Sequence, residues 1–185
     1  MLFSSLLSTM LLAASVISIP TQTLSSPTAL DQDDERYFGN ALNAIDHVQD
    51  PMKTLCKDGK ASEAQSQFAS LEPPVKQLSV HVHSVIQISQ KISLNGGAFL
   101  QRFMQIITDF NVIITTVNGY VEVQESLSVQ IQELNVYFKT ITDDLSGAGL
   151  DVITSFQQTQ IDFRIWIKLG LNFLCGYVDE SPKRL

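Results

Sequence analysis

Charged residues are absent from the first 30 positions of this 185-residue chain. An apolar run at residues 6–16, followed by small residues and a proline, is typical of a secretory signal peptide, although the usual basic residues before the run are missing. We expect cleavage after Ser18, and sites as far as Ser26 stay open. An uncleaved membrane anchor is the alternative, but the run is short and interrupted by serine. The sequence therefore predicts a signal peptide at residues 1–18 and a secreted, extracellular product.

Cysteine is scarce, with only Cys56 and Cys175 in the whole chain. In an oxidising extracellular compartment, two cysteines in one domain most simply form one disulfide. A Cys56–Cys175 bond would close most of the domain into a single loop, worth about 4–5 kcal/mol in the chain-entropy model. It would also make the first and last helical elements neighbours. Two free buried thiols and an intermolecular bond are the alternatives.

Basic residues are few, with 12 Lys and Arg against 19 Asp and Glu and a net charge of −7. This balance argues against nucleic acid as a partner and against an anionic membrane, because both require clustered Lys and Arg. No second apolar run is long enough for stable membrane insertion after signal removal. Of the four arginines, Arg102 and Arg164 are the two that helix packing could bring together, but each is interpreted as a surface charge.

Motifs of the common enzyme classes are missing, including Gly-x-Ser-x-Gly, His-Glu-x-x-His, the phosphate loop and the dinucleotide fingerprint. His81 and His83 are two residues apart, so on a helix they point to different faces and only on a strand could they share a metal. The acidic cluster at residues 31–35 lacks the glycine and the distal glutamate of a calcium loop. We therefore predict no catalytic residue, no cofactor, no metal site and no enzymatic activity.

Helical periodicity is what the sequence does contain, and it is clearest from Gly97 to Val117. Apolar residues there follow steps of three and four: Phe103, Ile106, Phe110, Ile113, Val117 and Tyr120. The same spacing returns in the next segment: Leu127, Ile131, Leu134, Phe138, Ile141 and Leu145. These are stripes of amphipathic helices, because strand alternation fails at the polar positions between them. The two helices, joined by a break at Asn118-Gly119, should lie antiparallel.

Three shorter elements are predicted before this central pair. Acidic residues in a first turn favour a helix start at Asp31, and proline ends this helix at Asp50-Pro51. A short helical turn at residues 52–56 follows, and then a polar helix from about Ser62 to Leu71. Pro73-Pro74 breaks the chain after it.

Two stretches fit both a helix and a strand, namely residues 75–94 and residues 161–177. Strands of this length are unusual, and Pro74 suits the first turn of a helix, so helices are favoured in both. We expect Asn95-Gly96-Gly97 to be the turn before the central helix. The last helix is predicted to start at Asp151, and Gly170 and Gly176 are expected to loosen its end. Its expected inner face consists of Ile153, Phe156, Phe163, Ile167, Leu171 and Leu174.

Together these patterns predict an all-α fold, a single-domain bundle of about four to five antiparallel helices at residues 31–178. Residues 19–30 are polar, carry proline and are predicted to be a flexible leader. Residues 179–185 are charged, contain a proline and are predicted to be a disordered tail.

Charge is also sparse in the middle of the chain, with only five charged residues between Leu94 and Phe138. Such a surface suits protein contacts or a glycan-rich wall, while burial of these helices within the domain is the competing interpretation. The closing segment Ile167-Lys-Leu-Gly-Leu-Asn-Phe-Leu, together with the signal peptide and one helical domain rich in Phe, Ile, Gln and Ser, resembles small secreted proteins of plant-pathogenic rust fungi. Some of these are candidate effectors, and the resemblance implies no particular functional residues.

The sequence thus predicts a non-enzymatic secreted protein that acts through protein or cell-surface interaction, with an unidentified protein or cell-wall partner. The alternative is an extracellular carrier that holds an apolar ligand or lipid between its phenylalanine-rich helices. The phenylalanines concerned are Phe99, Phe103, Phe110, Phe138, Phe156 and Phe163. Ordinary core packing is the competing explanation for them.

Overall fold

The computed structural model describes residues 30–88 and 92–175, and this part of the chain is all-α. The elements are α1 Gln32–Lys57, α2 Ala61–Ala69, α3 Glu72–Ile88, α4 Ile92–Asn118, α5 Val121–Gly147, α6 Val152–Gln158, α7 Phe163–Lys168 and a 3-10 turn at Asn172–Leu174. The predicted all-α class is confirmed, with more helical segments than the four to five expected. The predicted signal peptide, nearly all of the leader and the predicted tail lie outside the described residues.

Helix α1 starts where the acidic cluster predicted a start. The Asp31 side chain accepts hydrogen bonds from the backbone N–H groups of Asp33 and Asp34, at 3.1 and 2.9 Å. Two amides of the first turn are thereby satisfied. One face of the helix is buried along its whole length: Asp34, Phe38, Ala41, Ile45, Val48, Met52 and Cys56.

The predicted helix end at Asp50-Pro51 is wrong, because α1 continues through Pro51 to Lys57. A proline inside a helix costs about 3 kcal/mol. The buried stripe nevertheless continues past it, with Met52 0 % and Cys56 1 % exposed. Burying a methionine side chain is worth roughly 1.5–3 kcal/mol, so packing of the last turns offsets the proline.

Four long axes form the bundle, namely α1, the α2–α3 pair, α4 and α5. Helix α1 packs on α4, α2 and α3, and α5 packs on α3, α2 and α4. Consecutive axes alternate in direction, as predicted. Asp34 at the start of α1 contacts His81 near the end of α3, and Phe103 in the first half of α4 lies 6.3 Å from Phe138 in the second half of α5.

Helix α4 begins earlier than the sequence suggested. Asn95-Gly96-Gly97 is not a turn, because α4 starts at Ile92 and includes all three residues. Each glycine costs about 1 kcal/mol in a helix. Packing compensates, since Phe99 is 1 % exposed and its ring lies 5.4 Å from that of Phe38 on α1. The predicted break at Asn118-Gly119 is confirmed.

The predicted continuous last helix is wrong, because the chain from Asp151 forms two short helices and a 3-10 turn. The inner side chains also differ, as Ile153 is 37 % exposed whereas its neighbour Val152 is 1 % exposed. The segment packs against α4 through α6 and α7, and against α5 through α6 and the 3-10 turn. Its buried residues are Val152, Phe156, Trp166, Leu171 and Phe173.

Asparagines on the long helices hold this C-terminal segment in place. The Trp166 indole N–H donates to Asn111 Oδ1 on α4 at 2.9 Å. The Phe173 backbone N–H donates to Asn135 Oδ1 on α5 at 2.9 Å. The Asn135 side chain therefore satisfies a backbone N–H of this segment, and the Asn111 side chain satisfies the indole N–H of the buried Trp166.

None of the described helices combines the length and the hydropathy that a membrane crossing requires.

Candidate functional site

An open groove with a volume of about 520 Å³ lies between α1 and α3. We call it the α1–α3 groove, and its walls are Tyr37, Pro73, Lys76, Gln77, Val80, His81 and Ser84. Tyr37 comes from α1, and all the other residues come from α3. The helical spacing of 73, 77, 80 and 84 brings these α3 side chains to one face, so the groove follows directly from the helical structure of a stretch that also fitted a strand.

A buried carboxylate fixes the wall of this groove. Asp34 is 2 % exposed, and its Oδ1 lies 2.7 Å from Nε2 of His81. The His81 ring stacks on Tyr37 with 4.1 Å between centroids and 20° between planes. The Arg36 guanidinium lies over the same tyrosine ring, 4.9 Å from its centroid. Asp34 and Tyr37 on α1 thus hold the imidazole, and Arg36 covers the tyrosine ring.

The 2.7 Å contact fits the tautomer of His81 in which the Nε2–H group donates a hydrogen bond to the Asp34 carboxylate. The nearby Ser84 hydroxyl donates to the Val80 carbonyl oxygen at 2.8 Å rather than to the imidazole. Nucleophilic catalysis by a serine needs a hydrogen bond between the hydroxyl and the base. The groove holds an oriented histidine, but the Ser84 hydroxyl is not bonded to it.

His83 contacts a different neighbour from His81, as the helix interpretation predicted. Its Nδ1 lies 3.1 Å from each carboxylate oxygen of Asp144 on α5. The two histidines therefore connect α3 to α1 on one side and to α5 on the other. In the described part of the chain, no three His, Cys, Asp or Glu side chains come close enough together to hold a metal ion.

The predicted Cys56–Cys175 disulfide is not present in the structure, and both thiols are free. Cys56 is buried at the end of α1, which packs on α4, α2 and α3, whereas the turn that precedes Cys175 packs on α5 and α7. The expected contact between the first and last elements is therefore replaced by packing against the middle of the bundle. Burial raises the pKa of the Cys56 thiol, which keeps it protonated and poorly reactive.

The two arginines singled out in the sequence have separate partners. Arg102 forms an ion pair with Glu35 on α1 and donates to Gln105 at 2.9 Å. Arg164 donates to both carboxylate oxygens of Asp162 at 2.9 Å, and this contact lowers the pKa of the Asp162 carboxyl. Each arginine is thus bound to a carboxylate near it, and neither lines the α1–α3 groove.

The six phenylalanines of the carrier hypothesis pack on other aromatic rings. Phe110 lies 5.3 Å from Phe138, Phe156 lies 5.5 Å from Phe163, and Phe99 lies 5.4 Å from Phe38, all between ring centroids. Five of the six are no more than 3 % exposed. The space between the helices is filled by the protein's own side chains.

Several valines, unlike these phenylalanines, are exposed to solvent. Val80, Val121, Val129 and Val136 are 58–66 % exposed. Val80 alone among them borders the α1–α3 groove, while the other three lie on α5. Single exposed apolar residues are common, so the position of Val80 beside a shaped groove is what distinguishes it.

Asp34 and Tyr37 were missed as site residues in the sequence. A signal existed for Asp34, because it lies four residues before Phe38 and so extends the buried stripe of α1 by one turn. A carboxylate on a buried face needs a partner, and a histidine is a suitable one.

Comparison of the chain with models of protein families, with curated proteins and with solved structures gave no match.

Proposed function

We propose that this is a non-enzymatic, secreted helical protein that acts by binding another protein or a cell surface, and that the α1–α3 groove is its contact site. The observation that carries the proposal is Val80, an apolar side chain that is 61 % exposed at the edge of a groove with a fixed wall. The resemblance to secreted rust-fungal proteins, which include candidate effectors, agrees with such a role.

The energetics of the groove suit a contact surface. Burying a valine side chain against a partner contributes about 1.5–3 kcal/mol. The Asp34–His81 hydrogen bond and the ring stacking on Tyr37 order the wall before any partner arrives, which reduces the entropy lost on binding. Lys76 and Gln77 supply polar groups beside Val80, as the rim of a protein interface does.

The non-enzymatic part of the proposal is supported by how the polar groups of the groove are used. The Ser84 hydroxyl is bound to a backbone carbonyl, and the His81 imidazole is bound to Asp34. These contacts hold the helices and their side chains in place, and they assemble no nucleophile with a base.

A pair of matched variants tests the contact site. Val80→Lys places a charge beside the groove, and Val129→Lys places the same charge on α5 at a position that is 60 % exposed, against 61 % for Val80. Neither change should alter stability by more than about 0.5 kcal/mol, because both side chains are exposed.

The mature protein and both variants would be cross-linked in extracellular fluid, and the products compared by mass spectrometry. We expect V80K to lose partners that the unaltered protein and V129K both capture. Equal capture by all three proteins would refute the groove as the contact site.

The carrier alternative has less support, because the aromatic rings fill the space between the helices. Native mass spectrometry of the purified mature protein tests it directly. A bound lipid or other apolar molecule would favour the carrier, and a mass equal to that of the chain alone would count against it.

A further inference from the structure

Asn118 joins three helices at the end of α4. Its side-chain Oδ1 accepts a hydrogen bond from Lys168 Nζ on α7 at 3.2 Å, and its backbone oxygen accepts one from Gln124 Nε2 on α5 at 2.8 Å. Gly119, the next residue, is exposed. The chain therefore presents an Asn-Gly pair at a surface turn, with an ammonium group on the amide oxygen.

We propose that Asn118 is a site of spontaneous deamidation and that Lys168 promotes the reaction. The backbone nitrogen of Gly119 attacks Cγ of Asn118 and loses its proton, a new C–N bond forms, the Cγ–Nδ2 bond breaks, and Nδ2 leaves with one added proton as ammonia, which gives a succinimide. Water then opens the ring at one of its two carbonyls. The products are aspartate, or isoaspartate, in which the backbone continues through the side chain. Water is the only co-reactant, and no oxidant or reductant is needed.

Glycine is the following residue that permits this attack best, because it has no Cβ to crowd the ring as it closes. Negative charge develops on Oδ1 as the nitrogen attacks, and the Lys168 ammonium is already hydrogen-bonded to that atom. The same ammonium can also supply a proton to the departing nitrogen. The fold thus adds electrostatic assistance to a sequence that is reactive by itself.

A second Asn-Gly pair in the chain provides an internal comparison. Asn95 and Gly96 lie inside α4, and Gly96 is buried, whereas Gly119 lies beyond the helix end and is exposed. Inside a helix the backbone nitrogen that follows each residue is held in the hydrogen-bond ladder. Ring closure at Asn95 therefore requires that part of α4 unfold, while at Asn118 only the last turn has to loosen.

The two products differ in their effect on the fold. Aspartate at 118 replaces an amide–ammonium hydrogen bond by an ion pair with Lys168 and adds one negative charge. Isoaspartate lengthens the backbone in the turn where Gly119 N–H donates to the Thr116 oxygen at 3.2 Å and Tyr120 N–H donates to the Val117 oxygen at 3.0 Å. It therefore disturbs the connection between α4 and α5.

The test is incubation of the purified mature protein at mildly alkaline pH, with peptide mapping by mass spectrometry over time. We expect the Asn118 peptide to gain the mass of an amide-to-acid conversion several-fold faster than the Asn95 peptide. In concentrated urea the two rates should become similar, because the structural protection of Asn95 is lost. No conversion at Asn118, or an equal rate at Asn95 in the folded protein, would overturn the proposed site.

Two variants test separately the reaction at Asn118 and the effect of Lys168 on its rate. Gly119→Ala should slow the reaction several-fold, and a Cβ at this position would lie 3.5 Å from the Thr116 oxygen, an ordinary contact that the fold tolerates. Lys168→Gln should also slow it, whereas Lys139→Gln, which removes an exposed lysine of α5, should not. An unchanged rate in K168Q, or equal slowing in K168Q and K139Q, would refute the part assigned to Lys168.

Discussion

The Asp34 carboxylate lies 2.7 Å from Nε2 of His81 and so connects the first turn of α1 to the second half of α3. The carboxylate side chain is 3 % exposed and the histidine side chain 16 % exposed, so water has little access to either partner. A buried carboxylate whose partner is removed is strongly destabilising, so we expect this contact to stabilise the wall of the α1–α3 groove.

We expect Asp34→Ala to lower the free energy of unfolding by about 1–3 kcal/mol, because it leaves the His81 N–H without its acceptor. Urea denaturation measures the change. Asp33→Ala is the matched control, since its side chain is 73 % exposed and its ion pair with Arg36 spans 3.4 Å. The control should change stability by less than about 0.5 kcal/mol. Equal losses in the two variants would contradict a special role for Asp34.

We expect Asn111→Ala to loosen the C-terminal segment, because the buried Trp166 N–H then loses its acceptor at a cost of about 1–3 kcal/mol. Trp166 is the only tryptophan, so its fluorescence reports on this segment alone. The emission of the variant should move to longer wavelength at lower urea concentrations than in the unaltered protein. Asn43→Ala, at an exposed position of α1, should leave the transition in place. A coincident transition in both variants would show that the hydrogen bond contributes little.

Thiol labelling distinguishes the free cysteines of the structure from the disulfide that the sequence suggested. Without reductant at neutral pH, we expect Cys175 to react promptly and Cys56 only after unfolding, because Cys56 is buried and its pKa is raised. Cys175→Ser should abolish the prompt reaction. Absence of any reactive thiol in the denatured, unreduced protein would mean that the disulfide forms after all.

Asp109 gives a pH-dependent prediction. Burial raises the pKa of the Asp109 carboxyl, and the nearby charge of Asp46 raises this pKa further by a smaller amount. A raised native pKa favours the protonated form, so this contribution to stability is present below the ordinary pKa and is lost as the pH rises through the native pKa. Asp109→Asn should therefore raise the melting temperature at neutral pH.

The gain from Asp109→Asn should shrink as the pH falls through about 4, the ordinary pKa of aspartate, and should be absent about one pH unit lower, where the carboxyl is protonated in the folded and the unfolded chain. Asp46→Asn should give a smaller gain, because Asp46 is the lesser of the two causes. A gain for Asp109→Asn that persists at acidic pH would show that it arises from packing rather than from charge.

The long helices could be predicted from the sequence, because residues such as Ile106 and Leu134 recur at steps of three and four, and the two central stripes are buried at every position except Tyr120. The residues at which these helices begin and end were less predictable. Pro51 and the glycines at 96 and 97 are local signals for a break, and burial of side chains beyond them outweighs those signals. Such burial depends on α1 and α4 packing together, which no local pattern records.

In the C-terminal segment the prediction was wrong in the opposite way, because a single helix was predicted and the structure has breaks. Its residues carry helical spacing and strand alternation at once, and the fold uses neither throughout, because Trp166 and Phe173 must reach the gap between α4 and α5. The groove was also beyond prediction in detail. His81 was noticed for a shared metal with His83, whereas its actual partner comes from α1, at a distance of 47 positions along the chain.

The aromatic side chains that complete the core between α4 and α5 follow these helices in the chain, so they are synthesised after them. A chain that ends before Trp166 has α4 and α5 complete, yet Phe110 lacks the Trp166 ring, and Phe138 and Phe156 lack the Phe173 ring. Such a chain exposes apolar aromatic surface, which favours aggregation until this segment is synthesised. Termination just before Trp166 is therefore expected to lower solubility more than the lost length alone suggests.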